Sequence, residues 1–265
     1  MLMQRLITSL ILIPLVLFIL FYAPAWCLLG IIFLILFAAG RECLQLIPLH
    51  APAAQTGFLL LIFVCLWACG AVFGYWLDLG LFFWLLIITA ILTFPGSQRY
   101  WGYPLIVAMT CFLLIPLFAQ SLMHLYYEPQ GKVLLVYLLF LVWAADIGAY
   151  LAGKCWGVHK LIPQVSPGKS WEGAFGGFIL VVLVTAGGYY YFAPSSWFYW
   201  FLLALIINVI SIFGDLFISV LKRRCHVKDT GTLIPGHGGI LDRLDSLIAA
   251  LPFFYWGIKY LSIAA

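Results

Sequence analysis

Charged residues are scarce in this chain: 8% of its 265 residues are Asp, Glu, Lys or Arg, whereas 66% are hydrophobic. Soluble globular domains carry about a quarter charged residues, so the composition excludes a soluble domain. The seven cysteines form no C-x-x-C pair, which argues against a zinc site and against a disulfide framework. The alternation of polar and apolar positions that marks outer-membrane barrels is absent as well. These absences leave a helical membrane protein.

Long apolar runs are what the sequence does contain, as in LITSLILIPLVLFILFYA near the N-terminus. About 20 residues in a helix cross a hydrocarbon core that is about 30 Å thick. We therefore predict an all-α, polytopic integral membrane protein with about nine transmembrane helices joined by short loops. The predicted spans are residues 6–22, 26–39, 56–77, 81–94, 103–127, 133–153, 171–192, 197–221 and 244–261.

The lysines and arginines predict the orientation of these spans. A cytoplasmic N-terminus places every Lys and Arg except Lys132 and Lys259 on the cytoplasmic side, as the positive-inside rule requires. The first run follows Arg5 as in a signal peptide, but it is too long and lacks a clean small-x-small cleavage site, so we expect a retained helix. The expected location is a bacterial-type inner (plasma) membrane.

Charge is distributed unevenly along the chain. Residues 1–130 contain few charged side chains and are expected to be transmembrane scaffold helices. Most charged residues lie in the second half, so residues 131–265 are expected to form the catalytic region. Its two long cytoplasmic loops are expected at residues 154–170 and 222–242. No internal repeat is visible.

Four aspartates lie within or at the edge of predicted spans: Asp146, Asp215, Asp242 and Asp245. A bare carboxylate in lipid costs about a few kcal/mol or more, so each must face protein, water, a cation or a basic partner. For Asp245, an ion pair or a helix cap explains the residue as well as a function does. Asp215 and Asp242 stand on different helices and would repel each other unless a cation lay between them. Because oxygen ligands suit Mg²⁺, which accompanies phosphate groups, Mg²⁺ is the expected cofactor, and a second cation is left open.

Basic and glycine-rich segments adjoin these aspartates. The run KRRCHVK, residues 222–228, places four cations after the eighth span, although such flanking charge is routine. The segment GTLIPGHGG, residues 231–239, has backbone that can turn N–H groups toward an anion. The ninth helix then begins near Asp242, with its positive dipole end toward the same place.

A third segment, SPGKSWEG at residues 166–173, looks like a phosphate-binding P-loop. It does not fit that motif, because position 163 is proline where the motif needs glycine, and no strand is predicted before it. Ser170 is expected to cap the seventh span, with Glu172 in the first helical turn. Lys169 is expected to be a mobile cation at the mouth of the site, a role that is compatible with the cap.

The run SVLKRRCHVKDTGTLIPGHGGILDRLD, residues 219–245, resembles the signature of the CDP-diacylglycerol synthases, also called phosphatidate cytidylyltransferases. That signature reads S-x-x-K-R, four residues, K-D, and later P-x-H-G-G-x-x-D-R-x-D, and every fixed position is filled. DIGAYLAGK at 146–154, SPGKSWEG and the GDL at 214–216 resemble the same family. Two positions depart from its pattern: Ile218 stands where relatives usually carry glutamate, and Ser170 where threonine is more usual.

The resemblance implies that CTP and phosphatidate react to give CDP-diacylglycerol and pyrophosphate at a site facing the cytoplasm. It implies the lipid bilayer as a partner and no nucleic acid, and it is compatible with a homodimer. Its metal-binding aspartates fall on Asp215 and Asp242, with Asp146 as a further catalytic candidate. Phosphate oxygens would be held by Lys222, Arg223, Lys228 and Arg243, and further substrate contacts are expected from Ser166, Lys169, Ser219, His237, Gly238, Gly239 and Asp245. His237 would either bind phosphate or pack against the glycine loop.

The residues by themselves leave other functions open. A CTP-dependent polyprenol or phytol kinase would share a basic nucleotide site, but it would transfer the γ-phosphoryl group and release CDP. A cation-coupled membrane transporter could use the same intramembrane acids. Paired half-chain repeats with broken helices would favour a transporter, and the sequence shows none. The D-G-x-x-A-R signature of the CDP-alcohol phosphotransferases is absent too.

Overall fold

The computed structural model describes residues 2–233 and 238–261, with side chains from residue 10 onward. Long helices joined by short connections dominate the described ranges, and the β-structure there is one short antiparallel hairpin. In chain order the elements are α1 (Leu2–Tyr22), α2 (Ala25–Leu46), α3 (Pro52–Ala71), α4 (Phe73–Leu92), α5 (Gln98–Trp101), α6 (Pro104–Tyr127), α7 (Gly131–Trp156), β1 (Lys160–Ile162), β2 (Ser166–Ser170), α8 (Trp171–Phe192), α9 (Trp197–Arg224) and α10 (Leu241–Tyr260).

Seven helices in the described part of the chain are long and apolar enough to cross a membrane: α2, α3, α4, α6, α7, α8 and α9. The long helices α1 and α10 coincide with the first and ninth predicted spans. Within the part whose side chains are described, α1 contributes an apolar stretch at Leu10–Tyr22. The prediction of an all-α polytopic membrane protein is confirmed, and the crossing of nine segments rather than seven stays a prediction.

The boundary between the third and fourth spans was predicted wrongly. The predicted break lay between Leu77 and Leu81, but the chain breaks at Val72, where φ is −129° and ψ is 40°. Helix α4 continues through Gly80 because this glycine serves helix packing rather than a turn. A Cβ at Gly80 would collide with the Leu117 side chain of α6.

The connection between α7 and α8 contains strands, which the sequence analysis did not predict. Strands β1 and β2 pair antiparallel, with Lys160 opposite Ser170 and Ile162 opposite Ser166. The SPGKS segment is therefore an extended strand, which also distinguishes it from a P-loop. Ser170 caps α8 as predicted, because its Oγ accepts a hydrogen bond from the Gly173 N–H at 3.1 Å.

The connections after the second, fourth, sixth and eighth predicted spans lie on one face of the helix bundle, here called the basic face. Arg224 at the end of α9 donates from Nε to the Gly102 carbonyl oxygen at 2.6 Å and from Nη1 to the Leu46 carbonyl oxygen at 2.9 Å. Arg223 donates from Nε to the Val165 carbonyl oxygen between the two strands at 3.1 Å. The ends of α2 and α9, the start of α6 and the hairpin therefore share one side, as alternating spans require.

Glycines bring α7 and α8 into close contact below the hairpin. A Cβ at Gly148 of α7 would lie 2.5 Å from the Gly176 carbonyl oxygen and 2.8 Å from the Gly177 Cα of α8. Small residues at such positions let helix backbones approach each other in membrane proteins. This contact fixes the distance between Asp146 on α7 and the hairpin that leads into α8.

We expect Gly148→Ala to lower the free energy of unfolding by about 1–3 kcal/mol, because the added methyl group meets backbone that cannot rotate away. Gly187→Ala is the matched control on α8, since nothing lies within 4 Å of the position that its Cβ would take. Unfolding of both variants in an SDS titration, followed by tryptophan fluorescence, measures the difference. Equal stability of the two variants would contradict the close approach of α7 and α8.

Candidate active site

Two lysine–aspartate pairs define a site on the basic face. Lys169 Nζ of β2 lies 2.7 Å from Asp215 Oδ2 of α9, and Lys222 Nζ of α9 lies 2.6 Å from Asp242 Oδ1 of α10. Lys222 is also within electrostatic range of Asp215, so both pairs belong to one site. All four residues were predicted from the sequence as site residues, and the fold brings them together.

Asp215 is the more accessible of the two aspartates, with 35% of its side chain exposed. Its Oδ1 accepts a hydrogen bond from Ser219 Oγ at 3.3 Å, one helical turn further along α9. Lys169 Nζ also donates to the Ile212 carbonyl oxygen at 3.3 Å, which holds the ammonium group against α9. One oxygen of Asp215 thus carries a long hydrogen bond and retains capacity for another ligand.

Two further aspartates approach the Lys169–Asp215 pair. Asp146 of α7 and Asp245 of α10 both lie within electrostatic range of Lys169 and Asp215. Asp245 Oδ1 accepts a hydrogen bond from the Ser246 N–H at 2.7 Å, a local bond that leaves the other carboxylate oxygen for a partner. Asp146 and Asp245, both named from the sequence as candidate site residues, therefore lie near Asp215, and their roles in a reaction stay predictions.

Asp242 organises the loop that precedes α10, and only 5% of its side chain is exposed. Its Oδ2 accepts hydrogen bonds from the Thr230 N–H at 2.9 Å and the Gly239 N–H at 3.2 Å, and the Thr230 hydroxyl lies 3.0 Å away. Its Oδ1 carries the Lys222 ammonium at 2.6 Å. Both carboxylate oxygens are engaged, so Asp242 ties the two ends of this loop to α9.

Glu42, from the N-terminal half of the chain, also accepts hydrogen bonds from this loop. Glu42 of α2 is 5% exposed, and its Oε1 accepts from the Ile240 N–H at 2.7 Å while Oε2 accepts from the Leu241 N–H at 2.8 Å. The Thr230 hydroxyl lies 2.9 Å from Glu42 Oε2, so the Glu42 and Asp242 carboxylates share its single proton as hydrogen-bond acceptors. N–H groups at a helix start have no partner within the helix, and a carboxylate stabilises them.

Sequence reasoning missed Glu42. The second span was predicted to end at residue 39, whereas α2 continues to Leu46 and keeps Arg41 and Glu42 helical. The backbone partner Ile240 lies 198 residues further along the chain, and no motif links the two positions. The available signal was an acidic residue at the end of an apolar run, the same argument that singled out the aspartates.

The glycine-rich segment makes room for the carboxylates of the protein itself. Gly238 has a φ of +83°, in the left-handed region that favours glycine. A Cβ at Gly239 would collide with the Glu42 carboxylate and the Thr230 hydroxyl. Substrate contacts at Gly238 and Gly239 stay predictions, and His237 lies outside the described residues.

The remaining predicted residues lie around the two pairs. Arg243 is exposed in the first turn of α10, within electrostatic range of the α7 aspartate. Arg223 is exposed at the end of α9, where it holds the hairpin through the bond to Val165. Lys228 is exposed and Ser166 is half-buried, and among the described residues neither of them hydrogen-bonds to either pair. All four side chains belong to the basic face.

The comparison with known families covers almost the whole chain. Residues 3–261 match the sequence pattern of the cytidylyltransferase family. The chain belongs to the cytidylyltransferase family. The match includes α2, so the helix that supplies Glu42 is part of the family region and not an unrelated addition.

Three curated proteins are similar to the chain. The phosphatidate cytidylyltransferase of Pseudomonas aeruginosa is 52% identical over 181 residues, which is 66% of this chain and 66% of that protein. The phosphatidate cytidylyltransferase of Haemophilus influenzae is 42% identical over 183 residues, 64% of each chain. The uncharacterized protein YnbB of Escherichia coli K12 is 35% identical over 249 residues, 89% of this chain and 80% of that protein. The chain thus spans slightly less than two thirds of the two enzymes.

The oxygen donors of this family member suit a hard cation such as Mg²⁺. In the described ranges, however, no group of three or more His, Cys, Asp or Glu side chains is arranged to hold a metal ion. The ammonium groups of Lys169 and Lys222 stand at the carboxylates of Asp215 and Asp242. A metal ion would fit beside Asp215, whose Oδ1 carries only the long hydrogen bond from Ser219, but at Asp242 only after Lys222 has moved.

Proposed function

We propose that the protein transfers the cytidylyl group of CTP to phosphatidate, giving CDP-diacylglycerol and pyrophosphate for phospholipid synthesis. The observation that carries the proposal is the convergence of two lysine–aspartate pairs at one end of membrane-length helices. Such a site offers cations to phosphate groups at the depth of a lipid headgroup. Family membership and the activity for which the P. aeruginosa and H. influenzae relatives are named support the same assignment.

In the proposed reaction a phosphate oxygen of phosphatidate attacks the α-phosphorus of CTP. A new P–O bond forms there, the bond to the oxygen that bridges to the β-phosphorus breaks, and pyrophosphate leaves with the electron pair. The attacking phosphate is already an anion at neutral pH, so positioning and charge stabilisation can lower the barrier without a side-chain base. Mg²⁺ held by Asp215 and Asp242 would supply neutralising charge for the phosphate groups.

The lysines are proposed to change partners when the substrates bind. Each ammonium group is held by a carboxylate, and a phosphate oxygen offers it an equivalent anionic acceptor. The flexible lysine stem lets the ammonium group of Lys169 or Lys222 turn from one acceptor to the other. Arg223 and Arg243, both exposed on the same face, would bind further phosphate oxygens.

We also propose that the basic face is cytoplasmic and that the membrane is a bacterial-type inner membrane. The concentration of lysine and arginine on this face supports the orientation, and the bacterial relatives support the membrane. CTP would then enter from the cytosol and phosphatidate from the inner leaflet. The family resemblance alone supports a homodimer. Chemical crosslinking in native membranes tests whether two copies associate.

The proposal is tested with purified protein in detergent micelles, phosphatidate, Mg²⁺ and CTP labelled with ³²P at either the α or the γ position. We expect the α label in the lipid phase and the γ label in pyrophosphate, and we expect EDTA to abolish transfer. The γ label in lipid, with release of CDP, would establish a kinase instead. No label in lipid from protein that still binds CTP would overturn the proposal.

A further inference from the structure

A cavity of about 400 Å³ lies between α8 and α9, beside the Lys169–Asp215 pair. Its walls are mainly apolar side chains, and they include Ile212, whose carbonyl oxygen accepts the Lys169 ammonium. The polar site and the apolar cavity therefore share a residue. The lining residues that matter here are Ile162, Trp171, Phe175, Phe178, Asn208 and Ile212.

The cavity extends along the helices, away from the basic face. Asn208, Ile212 and Asp215 follow one another at helical spacing, so they lie on one face of α9. At 1.5 Å per residue, Asn208 lies about 10 Å from Asp215 along the helix axis, toward the middle of the membrane. Trp171 and Phe175 at the edge of the cavity are each 63% exposed, so the cavity opens to the outside of the helix bundle.

Asn208 is an unusual residue for such a wall. It is only 5% exposed, and within the described residues its Oδ1 has no hydrogen-bond partner. Buried polar groups in native proteins are normally paired, so an unpaired amide beside a cavity points to a partner that enters the cavity. The unpaired oxygen is an acceptor and cannot pair with another carbonyl oxygen, so only the NH₂ end of the amide can donate to an acceptor in the cavity. A 180° turn of the amide exchanges its two ends.

We propose that this cavity binds the acylglycerol part of the lipid acceptor, with the phosphate at the Lys169–Asp215 pair and an ester carbonyl oxygen that accepts a hydrogen bond from the Asn208 NH₂ group. A diacyl phospholipid carries its ester groups a short glycerol linker away from the phosphate and its apolar chains beyond them. Lys169 and Asn208 offer partners for the phosphate and the ester in this order, and Leu205 lines the cavity about one helical turn beyond Asn208. The inference rests on the proposed function, because it takes the acceptor to be phosphatidate.

The ester contact is tested by Asn208→Leu, which removes the amide and keeps the size of the side chain. With diester phosphatidate we expect the KM for lipid to rise roughly three- to tenfold, since one hydrogen bond is lost, while the KM for CTP is unchanged. With a dialkyl ether phosphatidate, which lacks the carbonyl groups, the variant and the wild type should have the same KM. An equal loss with both lipids would overturn the assigned contact.

The acyl-chain contact is tested by filling the cavity. Ala174 also lines it, and Ala174→Trp is expected to raise the KM for dioleoyl phosphatidate at least about tenfold, because several CH₂ groups lose their burial. The short dihexanoyl lipid should be used almost as before. Leu183→Trp is the matched control, at a position of α8 that is 62% exposed. The same chain-length dependence in both tryptophan variants would overturn the proposal.

Lipid binding is also measured without turnover. Wild-type protein is photolabelled with phosphatidate that carries a diazirine in one acyl chain. We expect labelled peptides from residues 171–178 and 205–213, with labelling displaced by unlabelled phosphatidate and not by phosphatidylcholine. If this labelling occurs and no CDP-lipid forms, the proposed function fails and the cavity assignment stands. If CDP-lipid forms and unlabelled phosphatidate does not displace the labelling, the cavity assignment fails and the proposed function stands.

Discussion

Replacing Asp215 by asparagine is expected to lower the rate of cytidylyl transfer by about 100- to 1000-fold, the usual cost of losing a preorganised electrostatic contact in a transition state. The amide loses the negative charge that holds the Lys169 ammonium at 2.7 Å and that would bind Mg²⁺. It keeps the size of the side chain and an oxygen for Ser219 Oγ, so the fold should persist. The initial rate of transfer of α-labelled CTP at saturating lipid measures the effect.

The matched control for this variant is Asp78→Asn, the same chemical change at an exposed position on α4. It should leave the rate unchanged. An Asp215→Asn variant that binds CTP and retains the full rate would show that Asp215 has no role in the reaction. An equally slow Asp78→Asn variant would show that the loss follows from removing one negative charge anywhere in the protein and not from the site.

Replacing Glu42 by glutamine is expected to lower the rate about 10- to 100-fold, the range found when a residue that supports a ligating carboxylate is lost. The carboxylate accepts N–H groups from both Ile240 and Leu241 and meets the Thr230 hydroxyl. A glutamine offers an NH₂ group to one of these donors, so a buried N–H loses its partner. The start of α10 then moves, and Asp242 moves with it.

Hydrogen–deuterium exchange separates this positioning role from general damage. In Glu42→Gln we expect faster exchange at residues 239–241 and unchanged exchange in α7, α8 and α9. The pair Thr230→Ser and Thr230→Val gives a matched control at a side chain that is fully buried. Serine keeps the bridging hydroxyl and should keep most of the activity, while valine should lose it. Equal rates for these two variants would show that the bridge between Glu42 and Asp242 has no role.

The apolar runs and the placement of charge within them determined the fold class and singled out aspartates that the fold brings close together. A membrane span needs about 20 apolar residues whatever surrounds it, so long helices could be located without knowledge of their neighbours. An aspartate in such a span needs a partner, which singled out Asp215 and Asp242. The break at Val72 could not be located in this way, because Gly80 serves either a turn or a close contact, and only Leu117 on another helix decides between them.

The partners of the charged residues were decided by the tertiary structure alone. Spacing along the chain describes geometry within one helix, over a few turns, and it carries no information on which helices pack together. The pairing of Lys169 with Asp215 rather than Asp146, and the contact of Glu42 with the start of α10, depend on that packing. The unpaired side-chain oxygen of Asn208 depends on helix packing too, because a polar residue in a span lacks a hydrogen-bond partner only when the neighbouring helices offer none.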